Sequence, residues 1–588
     1  PSALVSTNEL ALHMGLPRHS VQGLPVVEHA SFAQEVVLQG QTRAVQPVQA
    51  GPEDEMPRVV NLGSLYHLGE STDAKVELDV ESMAMHTFVT GSTGSGKSNA
   101  AYHLLAELRK HGISSLVVEP AKGEYKNVFP YTPCYGTNPK LGRLLRINPF
   151  AFPEQVHVLE HIDRIVEIFN VCWPMYAAMP AVLKDAVEQA YVAAGWNLEQ
   201  SENESVPGLF PTFADVLREL QNVIHSSEYS SDTKGDYIGS LSTRLKSLTN
   251  GINGLIFVSR EMNLADLFDK DAIVDLSRVG STETKSLIMG LLVLKLQEYR
   301  MANAKGMNEP LKHVTVLEEA HNLLKKTSTE QSTETANVVG KSVEMLTSAI
   351  AEVRTYGEGF IIVDQAPDLL DTAVIRNTNT KIVLRLPEKK DREVTGGAMG
   401  LNDAQLEELS RIPTGMAAVY QNNWQEAVLC QLPKYQLYGR RKQECEESFQ
   451  SRTERNNATL HFLLADRLSA AQKEKLALRL KNSNAAAKTV RMLLEHQDSR
   501  DKQYQWAVAD FIASQYVLPD VFRGTAACQE LRELKNILQE NLSEVFRQFS
   551  AVEIRKITAY VCMTESEKHP ERKSLEQLCA YYWKEKVL

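Results

Sequence analysis

Gly91-Ser92-Thr93-Gly94-Ser95-Gly96-Lys97-Ser98 is an eight-residue GxxxxGK[ST] run. At that spacing successive backbone N–H groups curl around a phosphate, and glycines supply the φ values the curl requires. Lys97 then reaches the β/γ oxygens, Ser98 offers a hydroxyl to Mg2+, and Asn99 closes the set. A short apolar run ends at Thr90. Beyond the loop, Ala101, Leu104, Leu105 and Leu108 mark one face of a helix that Gly112 stops. A Gly/Ser-rich surface loop is the alternative, but it does not explain the strand before and the helix after. The run implies a site for ATP and Mg2+.

A second set of chemical groups lies in Val314-Thr315-Val316-Leu317-Glu318-Glu319-Ala320-His321. An apolar strand that delivers two acids at its C-terminal edge puts them where a parallel sheet binds ligands. Beside a phosphate loop, Glu318 would sit in the Mg2+ shell and Glu319 would polarise the attacking water as general base. The other reading is an acidic helix start favoured by the helix dipole. His321 is either a γ-phosphate sensor or an ordinary solvent-facing histidine.

The third set is Arg354 to Gln365, where an apolar strand ends in an amide. Gln365 can hydrogen-bond a γ-phosphate or the lytic water. Arg354 precedes the strand and reads either as an arginine finger, neutralising transition-state charge in a neighbouring subunit, or as half of a surface salt bridge.

These groups need elements to hold them. Candidate strands are Thr87–Thr90, Ile113–Val118, Ala272–Leu276, His313–Leu317, Gly359–Val363 and Lys381–Leu386, mostly continuous apolar runs of the kind covered on both faces. Alternation with helical segments predicts an α/β fold with a parallel sheet and right-handed crossovers. Between the second and third strands a block at about 154–267 reads as a helical insertion, with helices over Val156–Val171, Ala181–Ala194, Phe213–Ile224 and Ile238–Leu248. Residues 1–80 read as a small β module, with apolar runs at Leu24–Val27 and Phe32–Leu38 and a turn or linker at Gln46–Pro57. After Pro433 the apolar spacing becomes helical (Leu531, Leu534, Ile537, Leu538, Leu542). The predicted division is therefore 1–80, a core at 81–435, and a C-terminal helical domain at 436–588.

Composition sets limits. The chain has 588 residues, 43% hydrophobic and 23% charged, which is ordinary for a globular protein. No apolar run is long enough to span a membrane. Pro1-Ser2-Ala3-Leu4 lacks the basic and apolar regions of a secretory signal; an initiator Met was removed or residues lie upstream. Seven cysteines without a CxxC pair argue against a disulfide framework or zinc ribbon and suggest a reducing cytoplasm. Net charge is −11, but Arg440–Leu588 carries 25 basic and 21 acidic residues, so that segment is +4 and the remainder −15. An acidic body argues against a broad basic face lying on a duplex; a few lysines in a narrow channel remain compatible with it.

Taken together, the motifs resemble the HerA/FtsK branch of RecA-like P-loop ATPases, most nearly the bacterial HerA-type enzymes. The resemblance runs from about Leu24 to Leu432. It rests on His86 before the phosphate loop, Glu119-Pro120-Ala121-Lys122-Gly123-Glu124-Tyr125, Ile147-Asn148-Pro149-Phe150, Val274-Asp275-Leu276-Ser277, Glu318-Glu319-Ala320-His321, Gln365, Asn379 to Arg385, and Met399-Gly400-Leu401. It implies a RecA-like core with an N-terminal barrel-like module that docks an effector. It also implies a homo-hexamer that hydrolyses ATP at subunit interfaces and drives double-stranded DNA through a central pore. Such motors accompany nucleases or sirtuin-like NAD-consuming enzymes in antiphage defence, or NurA-type nucleases in end resection. This chain shows no nuclease constellation of its own, so any cleavage falls to a partner. An ATP-dependent ring scaffold that gates an effector is the alternative, and a conjugative coupling ATPase is weakened by the lack of membrane helices.

The chain also departs from the family pattern. Met85 and Ala366 stand where the family often has arginine, which leaves Arg354 and Arg385 to supply the trans-acting charge. Glu119 stands where Asp is frequent. Pore-lining phosphate contacts, sequence-blind and salt-sensitive, are expected from Lys122, Lys126, Lys325 and Lys326, with the Ser/Thr-rich stretch to Ser332; ordinary solvated lysines are the other reading.

Overall fold

The protein is described by a computed structural model. It covers residues 29–39, 58–436, 452–585 and 587, except 68, 140–141, 174, 327–332, 517, 519–520 and 526–529. The expected elements at Leu24–Val27, at Gln46–Pro57 and at Thr327–Ser332 lie outside those residues. The strands are β1 (Val59–His67), β2 (Glu70–Asp79), β3 (Thr87–Thr90), β4 (Ser114–Glu119), β5 (Cys134–Gly136), β6 (Arg143–Leu144) and the small pair β7 (Trp196–Asn197) and β8 (Glu202–Asn203). They continue with β9 (Ala272–Asp275), β10 (His313–Glu318), β11 (Glu358–Asp364), β12 (Thr380–Val383), β13 (Met416–Gln421) and β14 (Val428–Gln431). All six predicted strands are present, each within a few residues of its expected bounds.

Two compact units emerge. The described residues of the first fall within Pro1–His111 and Val363–Tyr435. Its strands run in the order β2-β1-β14-β13-β12-β3. β3 and β12 pair in parallel, and the others pair antiparallel. β3 and β12 are buried along their whole length, as unbroken apolar runs require. The N-terminal β residues are thus a hairpin hydrogen-bonded to β14, with Ser64 opposite Gln431. Phe32–Leu38 is not a strand; it makes two isolated bridges, Ala33 to Val428 and Leu38 to Trp424. Close approach explains Gly63: a Cβ there would lie 2.3 Å from the Gln431 carbonyl.

The second unit takes Gly112–Ile362 and Gln436–Leu588. β10, β4, β9, β5 and β6 pair in parallel, with β11 beside β10. A buried carboxylate, Glu358, fixes the start of β11. It accepts from the Arg300 Nε at 2.9 Å and the Thr315 hydroxyl at 2.7 Å, and lies 2.9 Å from His313 Nδ1. Burial alone would push Glu358 up, but His313 and Arg300 outweigh it and hold the carboxyl below its usual range.

The insertion is helical as expected, with Val158–Cys172, Met179–Ala193 and Phe213–Ser226. A helix at Ser231–Tyr237 continues through a π-turn at Ile238–Ser242 into Thr243–Thr249. The C-terminal residues form seven helices among those described, from Arg452–Leu464 to Lys573–Lys584. Their core of Leu460, Leu480, Leu493, Phe511, Leu538 and Tyr582 also takes in Ala194, Val206 and Leu209 of the insertion. Asp215 joins the two regions by accepting from Thr212 at one helix start and from the Ala487 N–H, 2.6 Å away, at another. No helix among the described residues is long and apolar enough to cross a membrane.

Candidate functional site: a phosphate loop and a buried acid cluster

In the first unit the loop between β3 and the helix Lys97–Lys110 has the backbone a phosphate needs. Gly94 and Gly96 sit at φ 77° and 109°, the left-handed region that favours glycine. Gly96 is the helix N-cap and brings no side chain to it, so the first N–H groups of the helix face the loop uncapped. Gly91 is required by contact, since a Cβ there would lie 2.5 Å from Ser95 Oγ and 2.8 Å from Leu384 Cβ. Ser95 Oγ is buried with no hydrogen-bond partner among the described residues, a polar atom awaiting a ligand. Lys97 is largely buried, and Ser98 is half-buried at the helix start. These features fit a bound polyphosphate with Mg2+ near Ser98.

Other predicted residues of this unit meet the loop. The Ser92 N–H donates to the carbonyl of Arg385 at 2.9 Å, so Arg385 holds the loop through its backbone. The Thr93 hydroxyl donates to Gln365 Oε1 at 3.2 Å, which brings the side chain of Gln365 to the loop. Asn99 does otherwise. Its Nδ2 donates to the Pro433 carbonyl at 2.9 Å and its Oδ1 accepts from the Tyr435 N–H at 2.7 Å. The side chain is therefore bound to the segment after β14, and the sequence reading of Asn99 as part of the nucleotide set missed that role.

The second unit holds the acids. Glu318 ends β10, buried, and accepts a hydrogen bond of 2.5 Å from the hydroxyl of buried Tyr125. Glu319 follows at φ 47° and ψ 52°, a strained conformation for a residue with a side chain. Strain of this kind is kept where surrounding structure forces it, and here it turns Glu319 out of the strand direction toward His321, whose Nδ1 is 3.6 Å away. Glu119 ends the adjacent strand β4 and accepts from the Glu124 N–H at 2.7 Å and the Tyr125 N–H at 3.3 Å. Burial, with Asp275 and Glu318 nearby, pushes its carboxyl up to about 7 despite those bonds.

Lys126, expected among the pore lysines, is ion-paired with Asp275 at 2.6 Å. Burial would raise Asp275, but Lys126 and Ser277 more than offset it and hold the carboxyl below its usual range. Gly123 lets this turn close, since a Cβ there would lie 2.9 Å from Ser277 Oγ. Lys122, Lys325 and Lys326 are exposed, and so is Arg354 on the 3-10 turn Val353–Tyr356. Arg354 makes no ion pair among the described residues.

The loop set and the acid set thus belong to different units. Sequence reasoning named both sets and quoted Glu119 and Tyr125 within one motif, but gave neither of those two a role. The available signal was the Glu119-to-Tyr125 motif itself, in which Tyr125 lies six residues after an acid at a strand end.

Residues 60–296 match the family model for the central domain of helicase HerA. The chain is 22% identical over 401 residues to the DNA double-strand break repair helicase HerA of Sulfurisphaera tokodaii, covering 66% of this chain and 73% of that protein. It is 24% identical over 398 residues to the protein of the same name from Sulfolobus acidocaldarius, covering 66% and 73%. Among solved structures, VirB4 of Thermoanaerobacter pseudethanolicus aligns with a TM-score of 0.47 at 18% identity, covering 66% of this chain and 98% of that one.

Proposed function

We propose that the chain is a P-loop ATPase of the HerA/FtsK type, a homo-hexameric motor that moves double-stranded DNA for a separate effector enzyme. The observation that carries this reading is the phosphate loop, with left-handed Gly94 and Gly96 and the orphaned Ser95 hydroxyl, inside a segment that matches the HerA central domain. In this reading Lys97 and the loop N–H groups hold the polyphosphate, while Ser98 and Glu318 hold Mg2+. Bound Mg2+ would neutralise charge on the phosphate oxygens. Glu319 takes the proton of the attacking water, and Gln365 orients the water or the γ-phosphate. Arg354 and Arg385 supply positive charge across a subunit interface. Lys122, Lys325 and Lys326 track the DNA backbone. The effector is a nuclease or a sirtuin-like NAD-consuming enzyme, and the setting is antiphage defence in a bacterial cytoplasm.

The test is turnover with and without duplex DNA, together with particle mass. Duplex-stimulated ATPase that falls steeply with salt, from a particle of six chains, is the expected result. Lys97→Ala should abolish nucleotide binding, whereas Glu319→Gln should bind ATP and fail to turn it over. An effector that stays fully active on the Glu319→Gln ring would replace the motor by a scaffold. A monomer without affinity for adenine nucleotides would remove both readings.

A further inference from the structure

The short helix Tyr125–Val128 of the second unit starts without a cap of its own: Glu124 stands at its N-cap, and no side-chain capping hydrogen bond forms there. The leading N–H groups of a helix have no partner inside it and must find one elsewhere. Here they find it upstream, at the end of β4. Glu119 accepts from the Glu124 N–H at 2.7 Å on Oε1 and from the Tyr125 N–H at 3.3 Å on Oε2, so each of its oxygens is engaged by the turn that it begins.

That turn is tight and held at both ends. Lys122 sits at φ 22° and Gly123 at φ 69°, on the side of backbone space that favours glycine. The near end is held by the Leu276 N–H, which donates to the Glu119 carbonyl at 2.9 Å, and the far end by the Lys126–Asp275 ion pair. Within it stands buried Tyr125, with its hydroxyl on Glu318. β4 and β10 run in parallel register, Val118 opposite Leu317, so the two strands end together at Glu119 and Glu318. One turn thus supplies donors to both acids, N–H groups to the first and a hydroxyl to the second.

Capping alone does not account for Glu119. The side chain is buried, with the carboxylates of Asp275 and Glu318 close enough to repel it. Burying a carboxylate beside two others is costly, and a serine or asparagine at the N-cap itself would serve the helix at far less cost. We propose that Glu119 is a positioning residue for the acid pair: by clamping the Glu124 and Tyr125 N–H groups it fixes where the Tyr125 ring stands, and through the Tyr125 hydroxyl it fixes the carboxylate of Glu318. Its effect on turnover rests on the ATPase reading; its effect on Tyr125 rests on the geometry alone.

The experiment uses the full chain with its tyrosines isotope-labelled at Cζ, where the NMR signal responds to the hydrogen bond of the phenol. The signal missing from Tyr125→Phe is that of Tyr125. Glu119→Gln keeps the shape of the side chain but turns an NH2 group toward one of the two N–H donors. In that variant the Tyr125 signal should move, while those of Tyr504 and Tyr582 in the C-terminal helices stay in place. Its ATPase kcat should fall about tenfold, with the KM for ATP within about twofold. Because Glu119 acts through Tyr125, the variant carrying both Glu119→Gln and Tyr125→Phe should be no slower than the slower single variant, whereas independent roles would multiply to about a hundredfold. Glu119→Asp, which keeps both oxygens but draws them back by one methylene, repeats the comparison should Glu119→Gln fail to fold. An unmoved Tyr125 signal overturns the proposal, and so does a double variant that shows the product of the two single losses. A wild-type chain that turns over no ATP, in which the Tyr125 signal still answers to Glu119→Gln, removes the ATPase reading and supports the positioning of Tyr125 by Glu119.

Discussion

The hydroxyl of Tyr125 donates to Glu318 Oε1 across 2.5 Å, and both side chains are buried. A donor fixed in the core sets the rotation of the carboxylate. Tyr125→Phe removes the donor and keeps the ring. A hydrogen bond to a charged group contributes about 1.5–3 kcal/mol, so turnover should fall about tenfold or more while nucleotide affinity stays within about twofold. Steady-state ATPase and nucleotide-binding titrations on the same preparation check this. Unchanged turnover would make Tyr125 a packing residue only.

Glu119 makes stability depend on pH in an uncommon direction. Its carboxyl is pushed up to about 7 from an ordinary value of 4.5, chiefly by burial. Between those values the folded chain keeps a proton that the unfolded chain has released, so stability is full below about 4.5 and falls as pH rises through about 7. The loss approaches about 3 kcal/mol at an upper bound. Glu119→Gln does not titrate. The stability of wild type minus that of the variant should therefore decline between pH 5 and pH 8, read by denaturant melts without nucleotide. A flat difference would show that the carboxyl titrates in its ordinary range.

Asn99 separates a structural role from a ligand role. Both ends of its amide are bound to the segment at Pro433 and Tyr435. Asn99→Ala should cost about 1–2 kcal/mol of stability and leave nucleotide affinity within about twofold. A tenfold loss of affinity with an unchanged melting curve would return Asn99 to the nucleotide set.

The pattern of what could be read in advance has a physical cause. β3, β4, β9, β10, β11 and β12 are buried along nearly their whole length, and such strands announce themselves as unbroken apolar runs. β5 and β6, with three and two residues, are too short to carry any period. The edge strand β2 and its neighbour β1 mix exposed and buried positions, and β2 reads Glu-Ser-Thr-Asp-Ala-Lys before its first buried residue, Val76, so a β-rich region was visible but not its hairpin. Among the chemical groups, the phosphate loop is local and was legible whole. Tyr125 and Glu318 are 193 residues apart, and the Lys126–Asp275 pair 149, so only the tertiary fold brings them together. The strained backbone of Glu319 leaves no trace in composition at all.

Arg354 can be tested by mixing subunits. It stands exposed on a turn that is itself held firmly: the Gly357 N–H donates to the Arg354 carbonyl at 3.1 Å, and the Glu309 N–H to the Thr355 carbonyl at 3.1 Å. Gly357, at φ 73°, has room for no side chain, since a Cβ would lie 2.4 Å from the Pro310 carbonyl. A fixed turn with an exposed guanidinium suits a group that acts on a neighbour. Arg354→Ala should then lower turnover on the order of a thousandfold, with nucleotide binding retained. Lys97→Ala subunits are inactive but still carry Arg354, so rings mixed from the two variants should regain turnover at those interfaces where an intact loop faces an intact arginine. If Arg354 served its own subunit or only the fold, the mixture would be no more active than its parts.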